Sequence, residues 1–447
     1  MPMKTPALWI AAVAVTLGLT AALSMTLLGA DRRLFAPGDM TGGHYQIEIA
    51  CDACHTPFQG VSQEACVQCH GAGLEAGNDS HPRSKFEDPR NADRVALLDA
   101  RRCVTCHVEH RPERTRAMGV TLAADFCVHC HADIGAERPS HRDLGFETCA
   151  GAGCHNYHDN TALYEEFLLK HRDAPPLAAT PRLPLRAAPP TAKAPLAAGD
   201  RDGSPHAAAD PGVVDAWALS AHARGGVNCR DCHQPADAAG ARAAWRDRPG
   251  PAQCAACHAA DAEGFLDGRH GMRLRQGLTP MSPGQARRPM RGDAHDRGLG
   301  CTSCHGAHDF DPRRAAVDGC LGCHDDTHSR AYRESPHHAL WQAEVAQHAP
   351  AGSGVSCASC HLPREIHRDA GRERVTVQHN QNRNLRPNEK MIRGVCLHCH
   401  GLAFAIDALA DPALIARNFR GRPSRHIESL DMAAQRLHPS DNPRNSP

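Results

Sequence analysis

Eleven times the chain places a histidine directly after a pair of cysteines, and these eleven motifs use all 22 cysteines of the sequence. In one motif, four Ala and Gly residues separate Cys149 from Cys154 before His155. In the other ten, two residues separate the cysteines: Cys51/Cys54/His55, Cys66/Cys69/His70, Cys103/Cys106/His107, Cys127/Cys130/His131, Cys229/Cys232/His233, Cys254/Cys257/His258, Cys301/Cys304/His305, Cys320/Cys323/His324, Cys357/Cys360/His361 and Cys396/Cys399/His400. Cys-x-x-Cys-His is typical of c-type haem attachment, in which both thiols bond the porphyrin and the adjacent imidazole is the proximal iron ligand. The sequence therefore predicts eleven covalently attached haems c.

Two other uses of paired cysteines fit this pattern less well. A structural zinc ion needs four ligands gathered from two such pairs, and a thioredoxin-like dithiol lies in a βαβ unit. Neither use explains a histidine after every pair. The small residues between Cys149 and Cys154 can bulge outward, so the stretched motif is counted with the others. No cysteine remains for a disulfide or a catalytic thiol.

Of the 32 histidines, 21 lie outside these motif positions, and many are candidates for the second axial ligand of an iron. A second imidazole gives a low-spin, six-coordinate haem suited to electron transfer. For the first five irons the candidates are His44, His81, His110, His141, His158 and His171. For the other six we assign His222, His270, His295, His308, His328, His337, His367 and His379, with His338, His348 and His426 as further candidates.

Four of the candidates follow a motif histidine by only three or four residues: His110, His158, His308 and His328. A residue so close in sequence cannot pass around the porphyrin edge to the opposite face of the same haem. Each is therefore expected to bind a neighbouring haem. Such exchange interlocks successive cofactors and brings them close together.

Composition indicates how such a chain folds. Aromatic residues make up 4% of 447 residues, too few for ordinary cores of that size, so porphyrins are expected to supply much of the buried apolar area. No alternating pattern persists long enough to predict a sheet. One helix is predicted to carry Leu163, Phe167 and His171 on one face. The predicted fold is mostly α with extensive irregular structure, a haem core in two modules, and little or no β-sheet.

The N-terminus carries an apolar run from Ala7 to Ala30, with Lys4 before it and Arg32 and Arg33 after it. This length matches the ~20 residues that cross a bilayer and exceeds the apolar core of a secretory signal. We expect an uncleaved membrane anchor, with a removed signal peptide as the alternative. Since haem attachment takes place outside the energy-transducing membrane, the rest of the chain is expected to be periplasmic.

The distribution of motifs divides the chain into segments. Residues 1–35 form the anchor or signal, and 36–171 form a module with five motifs. Residues 172–213 are rich in Pro and Ala and are predicted to be an extended linker. Residues 214–430 form a module with six motifs, and 431–447 are predicted to be a disordered tail.

Some of the phrases between motifs carry a family resemblance. The first module resembles the class III, cytochrome c3-like proteins through His44 ahead of the first motif and the run from Cys154 to His158 that leads to His171. The second module resembles the superfamily of octahaem hydroxylamine oxidoreductase and pentahaem nitrite reductase through the stretches 328–337 and 379–400. Nitrite reductases of that kind use a lysine as proximal ligand at the active haem, whereas all eleven motifs here end in histidine. Octahaem enzymes also use a cross-linked tyrosine, and this module has a single tyrosine, Tyr332.

Two functions follow as expectations. In the first, the chain is an undecahaem electron carrier between membrane-associated donors, such as a quinol-oxidising complex or another cytochrome, and periplasmic acceptors. In the second, one C-terminal haem lacks a second ligand and acts on nitrite or hydroxylamine. An open iron would then lie near Tyr332, His337 and His338, or in the gap from His258 to Cys301 with His270, Met272 and Met281. No nucleic-acid partner is expected.

Overall fold

The computed structural model describes residues 5–29, 33–138, 141–142, 144–149, 157–159, 163, 165–186, 193–203, 210–236, 240–369, 371–385 and 389–437. The described chain is mostly helical, and most helices are short. They are α1 Thr5–Leu28, α2 Gln63–Ala76, α3 Arg83–Glu87, α4 Ala92–Leu97, α5 Cys103–Cys106, α6 Val128–His131, α7 Ile134–Glu137, α8 Phe146–Cys149, α9 Glu165–His171, α10 Pro211–Ala218, α11 Ala221–Arg224, α12 Cys229–His233, α13 Pro251–Ala255, α14 Ala259–Asp267, α15 Met272–Arg275, α16 Cys301–His305, α17 Pro312–Ala316, α18 Asp318–Leu321, α19 Thr327–Ala331, α20 Pro336–Val345, α21 Cys357–His361, α22 Asn382–Leu385, α23 Lys390–Gly394, α24 Leu402–Leu409, α25 Pro412–Ala416 and α26 Ser429–Leu437.

Two small antiparallel hairpins are the only sheets in this described part. Strands β1 (His55–Thr56) and β2 (Gly60–Val61) pair beside the first motif. Strands β3 (Arg364–Asp369) and β4 (Arg372–Val377) pair with Arg364 opposite Val377. The predicted fold class, mostly α with irregular connections and little sheet, is confirmed.

Several motif helices begin at a polar cap. The Asn228 side chain accepts a hydrogen bond from the Cys229 backbone N–H at the start of α12. The Ser356 hydroxyl accepts one from the Ser359 N–H at the start of α21. Such caps satisfy N–H groups that a short helix leaves unpaired. They hold each cysteine pair and its histidine in one turn.

The chain clusters into two compact units. One comprises Met1–Ala72 and His81–Cys130, and the other comprises Gly73–Ser80 and His131–Pro447. These units divide near residue 130, and the apolar core of the second unit, in which Leu163 and Leu168 pack with helices near the C-terminus, contributes to this division. The predicted modules and linker stay predictions.

That core is built from α9, α23, α24 and α26. Ile392 and Leu402 are fully buried in it, and Leu168 is 5% exposed. The Arg393 guanidinium lies 3.8 Å above the Phe167 ring. Helix α26 contributes Leu430 and Ala433. Residues 431–437 of the predicted disordered tail are thus helical, because the apolar face of α26 packs on α9; residues 438–447 lie outside the described residues.

The described part of the predicted linker is extended but packed. The Ala178 N–H donates to the Cys399 carbonyl at 2.8 Å, and the Leu183 N–H donates to Gly352 at 2.8 Å. The Pro184 carbonyl accepts a hydrogen bond from Arg364 at 2.8 Å. Composition predicts an extended linker here, and that assignment stays a prediction. It did not reveal that extended backbone offers free carbonyls and amides that neighbouring segments use.

Helix α1 is the only described helix that is long and apolar enough to cross a membrane, over Pro6–Thr26. Its described side chains are almost all exposed. An N-terminal helix of this kind fits a membrane anchor or a signal sequence.

Candidate haem-binding sites

Among the described residues, eight motif histidines each face a second histidine from elsewhere in the chain. The ring centroids of every pair lie between 5.9 and 6.4 Å apart. The pairs are His70–His44, His55–His110, His258–His222, His233–His308, His324–His270, His305–His379, His361–His328 and His400–His337.

This separation has a chemical meaning. Imidazoles in direct stacking contact lie closer, whereas two imidazoles that bind one metal ion are held apart by two metal–nitrogen bonds of about 2 Å each. The ring centres of such ligands are then roughly 6 Å apart. The eight pairs have the separation required by an iron between them, so these residues fit axial ligation of haem.

Hydrogen bonds at Nδ1 orient several of these rings. The Nδ1 atoms of His110, His233 and His328 lie 2.8, 2.6 and 2.6 Å from the carbonyl oxygens of Gly38, Arg246 and Ile415. A carbonyl only accepts, so Nδ1 carries the proton in each ring. Nε2 then keeps its lone pair, which is the ligand form of imidazole.

A similar bond fixes His400. Its Nδ1 lies 3.1 Å from the Pro176 carbonyl, in the extended segment before the second group of motifs. The same carbonyl accepts the Gly401 N–H at 3.3 Å. A segment that the sequence marked only as linker therefore positions a predicted proximal ligand.

Carboxylates contact the Nδ1 atoms of His44, His258 and His379. The His44 Nδ1 donates to Glu109 at 2.6 Å, and Glu109 also accepts from the Thr41 N–H and hydroxyl at 3.0 and 2.9 Å. Asp261 lies 3.4 Å from the His258 Nδ1 and 3.3 Å from the His379 Nδ1. The hydrogen bond from His258, followed by that from His379, holds the pKa of Asp261 well below its usual range, so its carboxylate is ionised at neutral pH.

Burial keeps other paired imidazoles neutral. It lowers the pKa of His270, His337 and His361 to about 4. Each ring is therefore unprotonated at neutral pH and has a nitrogen lone pair available for a metal.

Neighbouring motifs bring their thiols together. The Cys254 thiol lies beside that of Cys301, and the Cys320 thiol lies beside that of Cys357. Burial, and then the neighbouring Cys320, raise the pKa of Cys304 to about 12. The attachment points of successive motifs are consequently adjacent.

Two predicted attachment cysteines, Cys69 and Cys257, differ from this pattern because they are exposed, whereas the other described cysteines are half-buried. The exposure of these two cysteines follows from the orientation of each motif turn. The first cysteine of each pair, Cys66 or Cys254, lies beside a thiol of the next motif, and the second cysteine comes to the surface. Haem attachment at Cys69 and Cys257 stays a prediction, and we expect that edge of each porphyrin to face solvent.

The expected exchange of histidines between motifs agrees with this geometry at three of four positions. His110 faces His55 and not His107, and His308 faces His233 and not His305. His328 faces His361. The fourth, His158, has its Nδ1 3.3 Å from Asp79, and its own motif residues Cys154 and His155 lie outside the described residues.

A shared backbone conformation explains two of these exchanges. His110 has a φ of 60° and His308 a φ of 75°, in the left-handed region that non-glycine residues seldom adopt. Each is the third residue after a motif histidine. The reversal of the backbone there directs the ring away from its own motif, and strain of this kind is typical of functional positions.

The two units contain the same arrangement. In the first, His44 stands seven residues before Cys51 and faces the second motif at His70, while His110 faces the first at His55. In the second, the corresponding pairs, with the same spacing of seven residues before Cys229, are His222–His258 and His233–His308. The thiol pairs Cys66–Cys103 and Cys254–Cys301 also correspond, as do the exposed Cys69 and Cys257. The same spacings are present in the sequence of both units.

The remaining candidates of the first group occupy varied environments. His107 has its Nδ1 3.1 Å from the Gly119 carbonyl. His81 stacks on Phe86 at 6.3 Å, and His171 contacts Phe167 at 4.5 Å. The irons of His107, His131 and His155 also need second ligands. The candidates are His81, His141, His158 and His171, and their assignment stays a prediction.

Two assigned second ligands, His295 and His367, lie outside the eight pairs. His367 lies on the exposed side of β3, where its Nε2 is 2.8 Å from the Thr376 hydroxyl of β4, and His295 is exposed after a short turn. All six motif histidines of the second group already face other imidazoles. The assignment of His295 and His367 as iron ligands therefore has no support from these pairs and stays a prediction.

The further candidates are also outside the pairs. The His338 Nδ1 is 2.9 Å from the Arg333 carbonyl, and His348 is exposed. His426 lies between Asp407 and Asp431, at 3.2 and 2.7 Å. Hydrogen bonding to carboxylates, with Asp431 first, raises the pKa of His426 to about 8.

Neither neighbourhood considered for an open iron is open in this geometry. His337 faces His400 and His270 faces His324. Tyr332 is 2% exposed, and its hydroxyl donates to the Val355 carbonyl at 2.8 Å. The buried Met281 is engaged through its carbonyl, which accepts the Leu299 N–H.

Two regions of the chain are similar to a known protein family. Residues 43–132 and 294–375 match the model of the cytochrome c3 family. The match supports a multihaem c-type cytochrome. The first region contains the first four motifs, and the second contains those that begin at Cys301, Cys320 and Cys357. Together the two regions cover less than half of the chain.

No curated protein and no solved structure matches the chain. The cytochrome c3 resemblance predicted for the first half thus recurs in the second. The predicted resemblance of the second half to the hydroxylamine oxidoreductase and nitrite reductase superfamily stays a prediction. The likeness to cytochrome c3 supports a multihaem electron-transfer protein with covalently bound haem c.

Proposed function

We propose that the chain is an undecahaem electron carrier that takes electrons from a membrane-associated donor and passes them to periplasmic acceptors. One observation carries the proposal: each of the six C-terminal motif histidines faces a second imidazole at iron-spanning distance. Two strong ligands leave no position on an iron for a substrate. The geometry therefore supports electron transfer over catalysis at these sites.

When bound, haem supplies a single iron that cycles between ferric and ferrous states. The protein residues supply the rest. Motif cysteines hold each group at a fixed place, and Nδ1 hydrogen bonds to carbonyls such as those of Arg246 and Ile415 fix the ring directions. Because the ligands are held in the same positions before and after electron transfer, the reorganisation energy of the transfer stays small. The exchanged histidines His110, His308 and His328 tie neighbouring motifs together.

The second part of the proposal is location. We propose that α1 remains as an anchor in the inner membrane and that the haem-bearing part is periplasmic, where a quinol-oxidising complex or another cytochrome donates electrons. The length and apolar composition of Pro6–Thr26 support an anchor. Cytochromes c3 are typically periplasmic, which supports the location.

Spectroscopy of the oxidised holoprotein tests the coordination. We expect EPR and optical spectra with low-spin signals only, unchanged by added nitrite or hydroxylamine, because both axial positions are filled. The matched positive control is H379A, which should open one iron and respond to added ligand. A high-spin component in the unmodified protein that shifts with nitrite or hydroxylamine would favour the enzyme alternative.

The N-terminus of the mature protein tests whether α1 remains as a membrane anchor. We expect the mature protein to retain residues 5–28 and to stay in the membrane fraction after an alkaline carbonate wash, because an apolar helix of this length partitions into the bilayer. N-terminal sequencing and fractionation give the result. A mature N-terminus beyond residue 28 together with a soluble protein would instead identify a removed signal peptide.

A further inference from the structure

A single carboxylate, that of Asp261, serves two imidazoles from different sites. Its oxygens lie 3.4 Å from the His258 Nδ1 and 3.3 Å from the His379 Nδ1. His258 forms its pair with His222, whereas His379 forms its pair with His305. Asp261 therefore contacts one predicted ligand from each of two haem sites.

Helix α14 places this carboxylate. The helix begins directly after His258, so Asp261 in its first turn reaches back to that ring. Gly264 and Gly268 follow Asp261 at helical spacing on the same face. A Cβ at Gly264 would meet the Gln378 Oε1 at 2.7 Å, and one at Gly268 would meet the His379 carbonyl at 3.1 Å. The absence of side chains there lets α14 approach the segment that carries His379.

The His379 segment is held against the helix by further bonds. The Arg269 N–H donates to the Gln381 side chain at 3.1 Å, and the Gln381 amide donates to the His379 carbonyl at 2.9 Å. The His379 Nδ1 also lies 3.1 Å from the Val377 carbonyl, so its proton is shared between that oxygen and Asp261. The contact between Asp261 and His379 is thus built by packing of two segments far apart in sequence.

A carboxylate acts differently from a carbonyl. Most other oriented rings donate Nδ1–H to a neutral backbone oxygen, as His233 and His328 do. A carboxylate makes the imidazole a stronger donor to its metal and places a negative charge near the iron. Both effects favour the more positive ferric state. Since the Asp261 side chain is 29% exposed, solvent weakens the effect but does not remove it.

We propose that Asp261 is a shared positioning residue for the adjacent haems of Cys254/Cys257 and Cys301/Cys304 and that it lowers the reduction potentials of both. The Cys254 and Cys301 sulfurs lie close together, so the two attachment points are side by side. The inference rests on the axial pairs of the proposed function. It identifies the two haems as a matched low-potential pair within the carrier.

The test compares D261N with the unmodified holoprotein by spectroelectrochemical titration and EPR. The amide is isosteric with the carboxylate but uncharged. Two haems should become easier to reduce, each with about a tenfold higher ferrous-to-ferric ratio at fixed potential, or about 59 mV. Their low-spin EPR signals should shift as well. The charge-conserving D261E should return the potentials toward the original values.

The matched control is D431N, since Asp431 is also hydrogen-bonded to a histidine, His426, that faces no motif histidine. No potential should change in this control. A D261N protein in which no haem or only one haem shifts would overturn the proposal of a shared residue.

Failure of the underlying ligand assignment gives a different result. If H379A leaves every haem low-spin, then His379 is not a ligand and the proposed coordination fails. If H379A creates one high-spin haem while D261N changes no potential, the coordination holds and only the role of Asp261 is wrong.

Discussion

Replacing His308 with alanine is expected to make one haem high-spin, namely the haem attached at Cys229 and Cys232. The His308 ring lies 6.0 Å from that of His233 and only 10° from parallel to it. Alanine at position 308 has no nitrogen to bind an iron there. The haem of His305, only three residues away in sequence, should stay low-spin because His379 faces it.

A double variant identifies which iron His308 serves. H308A and H379A should each produce one high-spin haem per molecule, and the double variant should produce two. If His308 instead bound the iron of its own motif, it would compete with His379 for one coordination position, and the double variant would give a single high-spin haem. Quantified high-spin EPR intensity and the stoichiometry of carbon monoxide bound to the reduced protein both count these irons.

The matched control is H338A. Like several paired rings, His338 donates Nδ1–H to a backbone carbonyl, at 2.9 Å from Arg333, but it faces no motif histidine. Its removal should leave all haems low-spin. Loss of a low-spin signal in H338A would mean that ring separation does not identify ligands in this protein.

The attachment chemistry could be predicted from sequence because it is local. Two thiols and an imidazole within five residues bind one haem, so spacing alone identifies them. Second ligands are not local, and the number of histidines could not separate His270 from His295. Only the tertiary structure places His270 6.2 Å from His324 and leaves His295 exposed.

One part of the ligand pattern was nevertheless present in the sequence. A histidine stands seven residues before Cys51 and another seven before Cys229, and a histidine follows His107 and His305 by three residues. Comparing the two halves by these spacings would have predicted four of the eight pairs. The contact of the Pro176 carbonyl with His400 could not be predicted from the sequence in this way. Every residue has a carbonyl, and only the tertiary structure determines which carbonyl lies beside the ring.

The depth of each attachment point was not present in the sequence. The motifs of Cys69 and Cys257 have the same spacing as that of the half-buried Cys360, yet these two cysteines are exposed. Spacing within a motif defines the bonding groups. Exposure depends on which neighbouring segments cover the turn, and that is set by tertiary packing.

Helix α9 shows why module boundaries were harder to predict. Motif positions grouped it with the first five motifs, but its apolar residue Leu168, like Leu163 shortly before the helix, packs in the core formed by α23, α24 and α26. Hydrophobic periodicity identifies the buried face of a helix but not the surface that covers it. The packing of α9 is therefore the best place to test the division of the chain.

Replacing Leu168 with alanine should destabilise the C-terminal core by about 2–5 kcal/mol, the usual cost of removing a buried leucine side chain. Leu168 is 5% exposed and contacts a cluster that includes the fully buried Ile392 and Leu402. The cavity would loosen the helices around it. Opening of this core should become more frequent by roughly 30-fold or more, at tenfold for each 1.4 kcal/mol.

Hydrogen exchange followed by mass spectrometry measures this change by segment. Exchange should rise in peptides that cover Lys390–Gly394, Leu402–Leu409 and Ser429–Leu437, although these lie more than 200 residues from the substitution. L219A is the matched control, because Leu219 is 78% exposed and the same substitution there should change stability by less than about 0.5 kcal/mol. If faster exchange in L168A were confined to residues 36–171, helix α9 would belong with the first five motifs, as motif positions alone indicated. Faster exchange in the three C-terminal helices would instead place α9 in their core, so that the segment before His171 helps to hold the His400 site in place.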